Sequence, residues 1–356
     1  MLVQLMGRAR AEKGCERPLK PVAADLPHES MYGRAETSLP GSSPLSLRTR
    51  EPSVPDAPPL LAAADLYKAH GLGNDYLVAD EGHAWPVIPG AVAALCHPHR
   101  GAGSDGLVVV SAPSAGDPEG VVARLRGFNP DGTEFERSGN GLRIAASHLL
   151  RTGRIGVGEA FRVRIGGAVV EMTVHGREGG RYDVSVEMGR CRVGPEAVAL
   201  DPDALDAGGH LEVVGAGWLD LTPVSVGNPH LVVWGEVLTA DRLEEVGAPL
   251  AIHPALAAGS NVQLAASLEP GVLEALIWER GVGPTTASGT SACAVAVSAV
   301  HRGLQEPGPL TVRMEGGRLS VTVSPRLEVT LRGPVEEVME LRLTDGFLAS
   351  LPSAGV

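Results

Sequence analysis

Two serines stand at matching places in this chain. One ends the leader Phe128-Asn-Pro-Asp-Gly-Thr-Glu-Phe-Glu-Arg-Ser138 and is followed by Gly139-Asn-Gly-Leu-Arg-Ile-Ala-Ala. The other ends Trp278-Glu-Arg-Gly-Val-Gly-Pro-Thr-Thr-Ala-Ser288 and is followed by Gly289-Thr-Ser-Ala-Cys-Ala-Val-Ala. In both, an aromatic closes a strand-like run, a Gly-bearing loop follows, and a Ser-Gly step opens a run of small, helix-compatible residues. A serine so placed stands at a helix N-terminus, where unpaired N–H groups and the helix dipole attract anions. Gly139, Asn140, Gly289 and Thr290 would offer donors to a carboxylate. One such serine alone reads as an ordinary N-cap. Two with matched leaders imply two lobes facing one site, a layout that serves attack on a single carbon from both sides.

Other polar residues sit in turns, where binding groups concentrate. Asn74, Asn129, Asn228 and Asn261 are candidate substrate contacts, although each alone reads as a turn former. Arg280 could grip a carboxylate in bidentate fashion. His230 and Glu279 could carry or steer protons. The run Gly101-Ala-Gly-Ser-Asp-Gly106 matches a dinucleotide fingerprint in letters only. That fingerprint needs a strand before it and a helix after it, and the order here is reversed, so the run reads as a Gly-rich turn. Cys96-His97-Pro98-His99 has metal-binding letters without a second ligand cluster, so no metal site is expected.

The elements that must hold these residues read as α+β. Runs such as Leu66–His70, Gly106–Ser111, Val121–Phe128, Tyr182–Met188 and Leu273–Trp278 carry strand patterns, and short Gly-bearing turns connect most of them. Phe161–Val174 alternates at period two, as one half-buried strand would. Helices are expected at Pro89–Cys96, Gly139–Leu150 and Asp241–Val246, and after Ser288. Leu310–Met314, Leu319–Val323 and Leu327–Leu331 read as a closing meander. Strands outnumber helices and do not alternate with them, so a doubly wound parallel sheet is not expected.

At 356 residues the chain suits two lobes plus an extension. With aromatics at 3%, the core must be built from Val, Leu, Ile and Ala. The net charge of −12 argues against a nucleic-acid partner and against an anionic membrane surface. No run reaches the roughly 18 apolar residues of a membrane span. Four widely spaced cysteines, with no Cys-x-x-Cys pair, fit reduced thiols in a cytoplasm. Residues 1–63 are rich in Pro, Ser and Ala without periodicity. They read as a disordered extension, or as sequence upstream of the true start, with a docking tail as the functional alternative.

On these residues the chain resembles diaminopimelate epimerase, of the cofactor-independent amino-acid racemase and epimerase superfamily. The matching motifs are Lys68-Ala-His-Gly-Leu-Gly-Asn-Asp-Tyr76, Arg100-Gly-Ala-Gly-Ser-Asp-Gly106, Phe128-Asn-Pro-Asp-Gly-Thr, Ser138-Gly-Asn-Gly-Leu-Arg143, Gly227-Asn-Pro-His230, Asn261-Val and Glu279-Arg-Gly-Val-Gly. They run in one order from about Leu66 to Phe347. The resemblance implies two similar α+β lobes, each wrapping strands around a central helix, with the site in the cleft. The lobes would be residues 64–187 with 333–350, and residues 188–332. It further implies a homodimer, a small amino-acid substrate, and no pyridoxal phosphate or metal. Substrate contacts would fall on Asn74, Asn129, Asn228, Asn261, Glu279 and Arg280, together with Gly139, Asn140, Gly289 and Thr290.

The departure lies at the centre. The family sets one cysteine on each side of the substrate, and those positions here are Ser138 and Ser288. A thiol ionises near pH ~8.5, lower still at a helix N-terminus, whereas a serine hydroxyl needs an adjacent base. Two smaller departures are Pro284, where an acidic residue is usual, and the absence of an aromatic shortly before Asn261. The implied reaction is interconversion of LL- and meso-diaminopimelate by two-base α-proton transfer, with His230 or Glu279 carrying or activating the transfer. The alternatives are a binding protein that keeps the cleft without catalysis, a racemase or dehydratase of another amino acid, and near-isosteric serines introduced to trap a complex.

Overall fold

A computed structural model describes residues 65–135 and 137–353. The extension expected over residues 1–63 lies outside the described residues.

The first half of the described chain runs β1 (Leu66–Gly71), β2 (Asn74–Asp80), α1 (Pro89–Cys96), β3 (Leu107–Ser111), β4 (Val121–Phe128), β5 (Glu134–Phe135), α2 (Gly139–Arg151), β6 (Ala160–Ile165), β7 (Ala168–Glu178) and β8 (Arg181–Arg190). The second half runs β9 (Arg192–Val193), β10 (His210–Val213), β11 (Gly217–Ser225), β12 (Pro229–Trp234), α3 (Ala240–Ala251), β13 (Asn261–Glu269), β14 (Val272–Glu279), β15 (Gly283–Thr285), α4 (Gly289–His301), β16 (Gly308–Met314), β17 (Gly317–Val323), β18 (Glu328–Leu341) and α5 (Asp345–Ser350).

Pairing shows that the repeat extends far beyond the two Ser-Gly loops. In the first half β1 pairs antiparallel with β2, β2 parallel with β3, β3 antiparallel with β4, and β4 parallel with β6. The order then continues antiparallel through β7 and β8. The second half repeats this sequence of orientations as β11, β12, β13, β14, β16, β17 and β18. Helix α2 answers to α4, and α1 to α3. The first ring closes, because β18 pairs with both β8 and β1. Eight strands therefore form a barrel around α2, whose residues Gly139 to Leu149 are all buried. Helix α4 is packed by β11, β12, β13, β14, β16 and β17 in the same way. These are two similar α+β lobes, each wrapped around one helix.

Strand β18 joins the lobes. Its first part pairs with β17 at Val329–Arg332, and its last part with β1 at Glu336–Leu341. The sequence reading stops this strand at Leu331, short of Gly333-Pro334. The structure carries the strand straight through. A Cβ at Gly333 would lie 2.2 Å from Leu319 Cδ2, so glycine is what lets the neighbouring strand approach. Pro334 falls where β17 has ended and β1 has not begun, a place where a missing N–H is tolerated.

Two other expected elements differ. Phe161–Val174 is two strands, β6 and β7, turning at Gly166-Gly167. Helix α3 continues to Ala251 through Pro249 instead of ending at Val246. Gly247 lies against Trp278, with room for no Cβ, and Leu250 and Ala251 are buried beyond it. Packing along that face outweighs the local cost of the proline.

Candidate active site

The N-termini of α2 and α4 meet. A Cβ built on Gly139 would lie 3.8 Å from the Gly289 Cα, and one built on Gly289 would lie 3.6 Å from the Gly139 Cα. Leu331 of β18 closes the contact from below, because both hypothetical methyls would press on its Cδ2. Ser138 and Ser288 precede these glycines, so both flank the same junction. Both are extended N-cap residues and both are half-buried.

The two hydroxyls have different surroundings. Ser138 Oγ accepts the Gly141 N–H at 3.1 Å, an ordinary capping bond, and hydrogen-bonds the Tyr76 hydroxyl at 3.3 Å. Ser288 makes no capping bond. Its hydroxyl lies beside the Glu279 carboxyl at the end of β14. Burial pushes the Glu279 carboxyl above the ordinary carboxylate range, the neighbouring Ser288 hydroxyl pulls it down, and the nearby Asp105 charge raises it again. Tyr76 is also pushed up, first by burial, with the charges of Glu279 and Asp105 adding to the rise. Glu279 of the second lobe thus feels, and is felt by, groups of the first.

The Asn74 side chain is fixed from two directions. Its Nδ2 donates to Asp105 Oδ2 at 2.8 Å, and Asn140 Nδ2 donates to its carbonyl and Oδ1 at 2.6 and 2.7 Å. The Asp75 N–H also binds Asp105 Oδ2, at 3.0 Å, and Lys68 pairs with Asp75 at 2.7 Å. Burial, with the neighbouring Asp75 charge, leaves the Asp105 carboxyl raised. Asp105 belongs to the Gly-rich run 101–106. That run follows α1 and leads into β3, and its glycines admit close backbone approach: a Cβ at Gly106 would lie 2.6 Å from both Phe128 O and the Tyr76 ring.

On the second lobe, Asn261 donates to Pro229 O at 3.2 Å and accepts the Arg280 N–H at 3.0 Å. It therefore joins the ends of β12, β13 and β14. Asn228 Oδ1 meets His230 Nε2 at 2.9 Å, and Gln263 links His230 Nδ1 (3.1 Å) to Ser291 Oγ (3.0 Å) in the first turn of α4. The Arg280 backbone is held this way, while its guanidinium binds the Ala258 carbonyl and is exposed. Asn129 is exposed on the loop after β4, with its side chain on Thr133 at 2.9 Å.

The proton-carrying role read for His230 does not fit this environment. The ring is fully buried, both nitrogens are occupied, and burial depresses its pKa to about 3. A neutral, enclosed imidazole braces Asn228 and α4. Cys293 is equally enclosed, and burial raises its thiol well above the ordinary range, so it does not stand in for the serine at 288. Cys96 belongs to the core under α1, not to a ligand set with His97 and His99. Among the described residues no cluster of three His, Cys, Asp or Glu could hold a metal ion. No described helix is long and apolar enough to cross a membrane.

Tyr76, Asp105 and Gln263 are among the polar groups at the site that residue chemistry did not single out. Tyr76 and Asp105 sit inside quoted motifs but read there as a strand residue and a turn residue. Gln263 carries no signal, being one polar position in an apolar strand.

Comparison with known proteins places this arrangement in a family. The diaminopimelate epimerase family profile matches residues 66–193 and 222–338. A diaminopimelate epimerase from Desulforudis audaxviator is 37% identical over 276 residues, covering 77% of this chain and 96% of that protein. One from Pelotomaculum thermopropionicum is 35% identical over 279 residues, covering 76% and 95%. Among solved structures, a hydroxyproline epimerase from Agrobacterium vitis with bound trans-4-hydroxy-L-proline superposes with a TM-score of 0.57 at 17% identity, over 80% of this chain and 97% of that one. A predicted epimerase from Pseudomonas aeruginosa gives 0.57 at 20% identity, over 79% and 99%. These two likenesses speak for the fold, and the sequence matches go further: the chain belongs to the diaminopimelate epimerase family.

Proposed function

We propose that this protein is an amino-acid epimerase that interconverts LL- and meso-diaminopimelate by moving the α-proton, with serines where the family resemblance implies thiols. The observation that carries the reading is the meeting of the two Ser-capped helix tips at the Gly139–Gly289 junction, with the half-buried Glu279 carboxyl beside Ser288. A serine hydroxyl is a poor base alone and becomes an effective one beside a group that takes its proton. The helix tips at Gly139–Asn140 and Gly289–Thr290 hold the substrate carboxylate. Ser288 oxygen takes the α-proton while its own proton passes to Glu279. The resulting carbanion is conjugated with the held carboxylate. Ser138, beside Tyr76, gives a proton to the opposite face and recovers one from water, and Glu279 returns its proton to water. Asn74, Asn129, Asn228, Asn261 and Arg280 orient the rest of the zwitterion. The protein works in the cytoplasm as a homodimer, without pyridoxal phosphate or metal.

The test is α-proton exchange. LL- and meso-diaminopimelate are incubated in D₂O with the protein, and the Cα signals are followed by NMR. Deuterium entering Cα as the diastereomer changes supports the reading. Measurable binding without exchange points instead to a cleft that has kept its ligand and lost catalysis. Exchange confined to another amino acid reassigns the substrate.

A further inference from the structure

Arg143 lies on α2, five residues past Ser138, and is 1% exposed. Its Nη2 donates to Asn140 Oδ1 at 2.9 Å, while Nε and Nη1 are buried without a hydrogen-bond partner. Among the described residues it makes no ion pair. The guanidinium is enclosed by glycines from three elements: a Cβ at Gly71 would fall 2.8 Å from Nη2, one at Gly289 3.5 Å from Nη1, and one at Gly333 3.7 Å from Nε. Side chains at those positions would fill or crowd the socket.

A buried, unpaired cation is costly, and it also sits near the positive end of its own helix, which is the wrong end for it. Neither α2 nor α4 carries an acidic residue in its first turn. Two helix N-termini and one guanidinium therefore converge on the Gly139–Gly289 junction, and although the Glu279 carboxyl lies beside Ser288, no carboxylate among the described residues pairs with Arg143. Burial lowers the Arg143 pKa to about 10, which leaves it charged at neutrality. What completes such a constellation is an anion supplied from the cleft.

We infer that Arg143 is a positioning residue whose buried charge, acting beneath the two helix tips and through Asn140 to Asn74, makes the junction a site for the ligand's carboxylate. It does not touch the substrate. It sets the potential at which the carboxylate is held, and it keeps that potential as negative charge grows on the carbanion. The inference rests on the proposed reaction for its substrate but not for its electrostatics.

The experiment compares wild type with Arg143→Gln, which keeps a donor for Asn140 and removes the charge, and with Arg143→Lys, which keeps the charge. Sulfate, as a probe anion, and meso-diaminopimelate are titrated by calorimetry, α-proton exchange is measured, and thermal melting is recorded. The expected result is at least a ten-fold loss of affinity for both ligands in R143Q, recovery to within three-fold of wild type in R143K, and a melting temperature in R143Q that is unchanged or higher. Wild-type affinity in R143Q overturns the inference. So does a loss of binding in both variants that follows a fall in melting temperature, which is the signature of a structural role. Should R143Q not fold, R143K decides alone: charge with altered geometry must keep binding. If wild type exchanges no α-proton of any amino acid while sulfate affinity still depends on Arg143, the proposed reaction fails and this inference stands. If exchange occurs and is indifferent to R143Q, the reverse holds.

Discussion

Gly139 and Gly289 face each other at van der Waals distance across the lobes, and a methyl on either would press on the same Leu331 Cδ2, at 2.8 and 2.9 Å. This contact makes one site out of two half-sites. It also explains why each serine is followed by glycine: the residue after each cap must leave room for Leu331, which packs under both tips.

Gly289→Ala is therefore expected to cost ~1–3 kcal/mol of stability through overpacking. The added methyl would meet Leu331 Cδ2 at 2.9 Å. Shortening Leu331 to Val should return part of that loss. Denaturant unfolding of the two single variants and the double variant gives the coupling directly. Additive effects would mean that the methyl is accommodated elsewhere.

Glu279→Gln should lower the exchange rate by roughly 10²–10⁴-fold while the protein still binds diaminopimelate, because the change removes the group that takes the Ser288 proton and keeps its volume. The pH profile offers an independent check. Glu279 must be ionised to act, and its pKa is raised by burial. Activity should thus fall as pH drops through a value above the ordinary carboxylate range of about 4.3. That acid limb should be absent from whatever exchange remains in the Gln variant. A limb that survives the substitution belongs to another group.

Much of this site is legible in the sequence because its parts obey local rules. Ser-Gly before a small-residue run marks a helix start whatever the surrounding fold, and two such starts with equal leaders mark a repeat. The asparagines are visible as turn residues. What escapes is set by distance. Glu279 and Ser288 are neighbours through a loop, but Tyr76 meets Ser138 from 62 residues away, and Asp105 reaches Asn74 only because β2 and β3 run parallel. Arg143 escapes for another reason. An arginine in an amphipathic helix reads as solvent-facing, and nothing local says that this helix is enclosed on every side. His230 misleads in the opposite sense. A histidine after a turn looks free to titrate, and only burial removes it from the proton chemistry.

Ser138→Cys together with Ser288→Cys should raise the rate, because a thiol can ionise near neutrality without help and a helix N-terminus favours the thiolate. The gain should be uneven. Ser288 already has Glu279 to take its proton, whereas Ser138 has only Tyr76, whose own pKa is raised. Ser138→Cys alone should therefore bring more of the gain than Ser288→Cys alone. Steady-state epimerisation by the three variants tests the order. An inert, folded, ligand-binding double variant would show that the junction is not poised for attack from two faces.

His230 supplies a stability prediction that leaves catalysis aside. Its pKa is depressed to about 3 in the folded protein, against about 6.5 when exposed. The folded state therefore takes up its proton less readily than the unfolded state does. The contribution is constant above pH ~6.5, and stability is lost as pH falls from there toward 3, at up to ~1.4 kcal/mol per pH unit from this residue. His230→Gln should flatten that slope. At neutral pH it should cost ~1–3 kcal/mol, because Asn228 and Gln263 lose a partner in a dry site. The exchange rate of the folded fraction should change less than ten-fold, since a braced neutral ring moves no proton. Urea melts at pH 7.5, 6 and 5 for both proteins give the slopes, and D₂O exchange at pH 7.5 gives the rate. A collapse of exchange with unaltered acid stability would return His230 to the proton path.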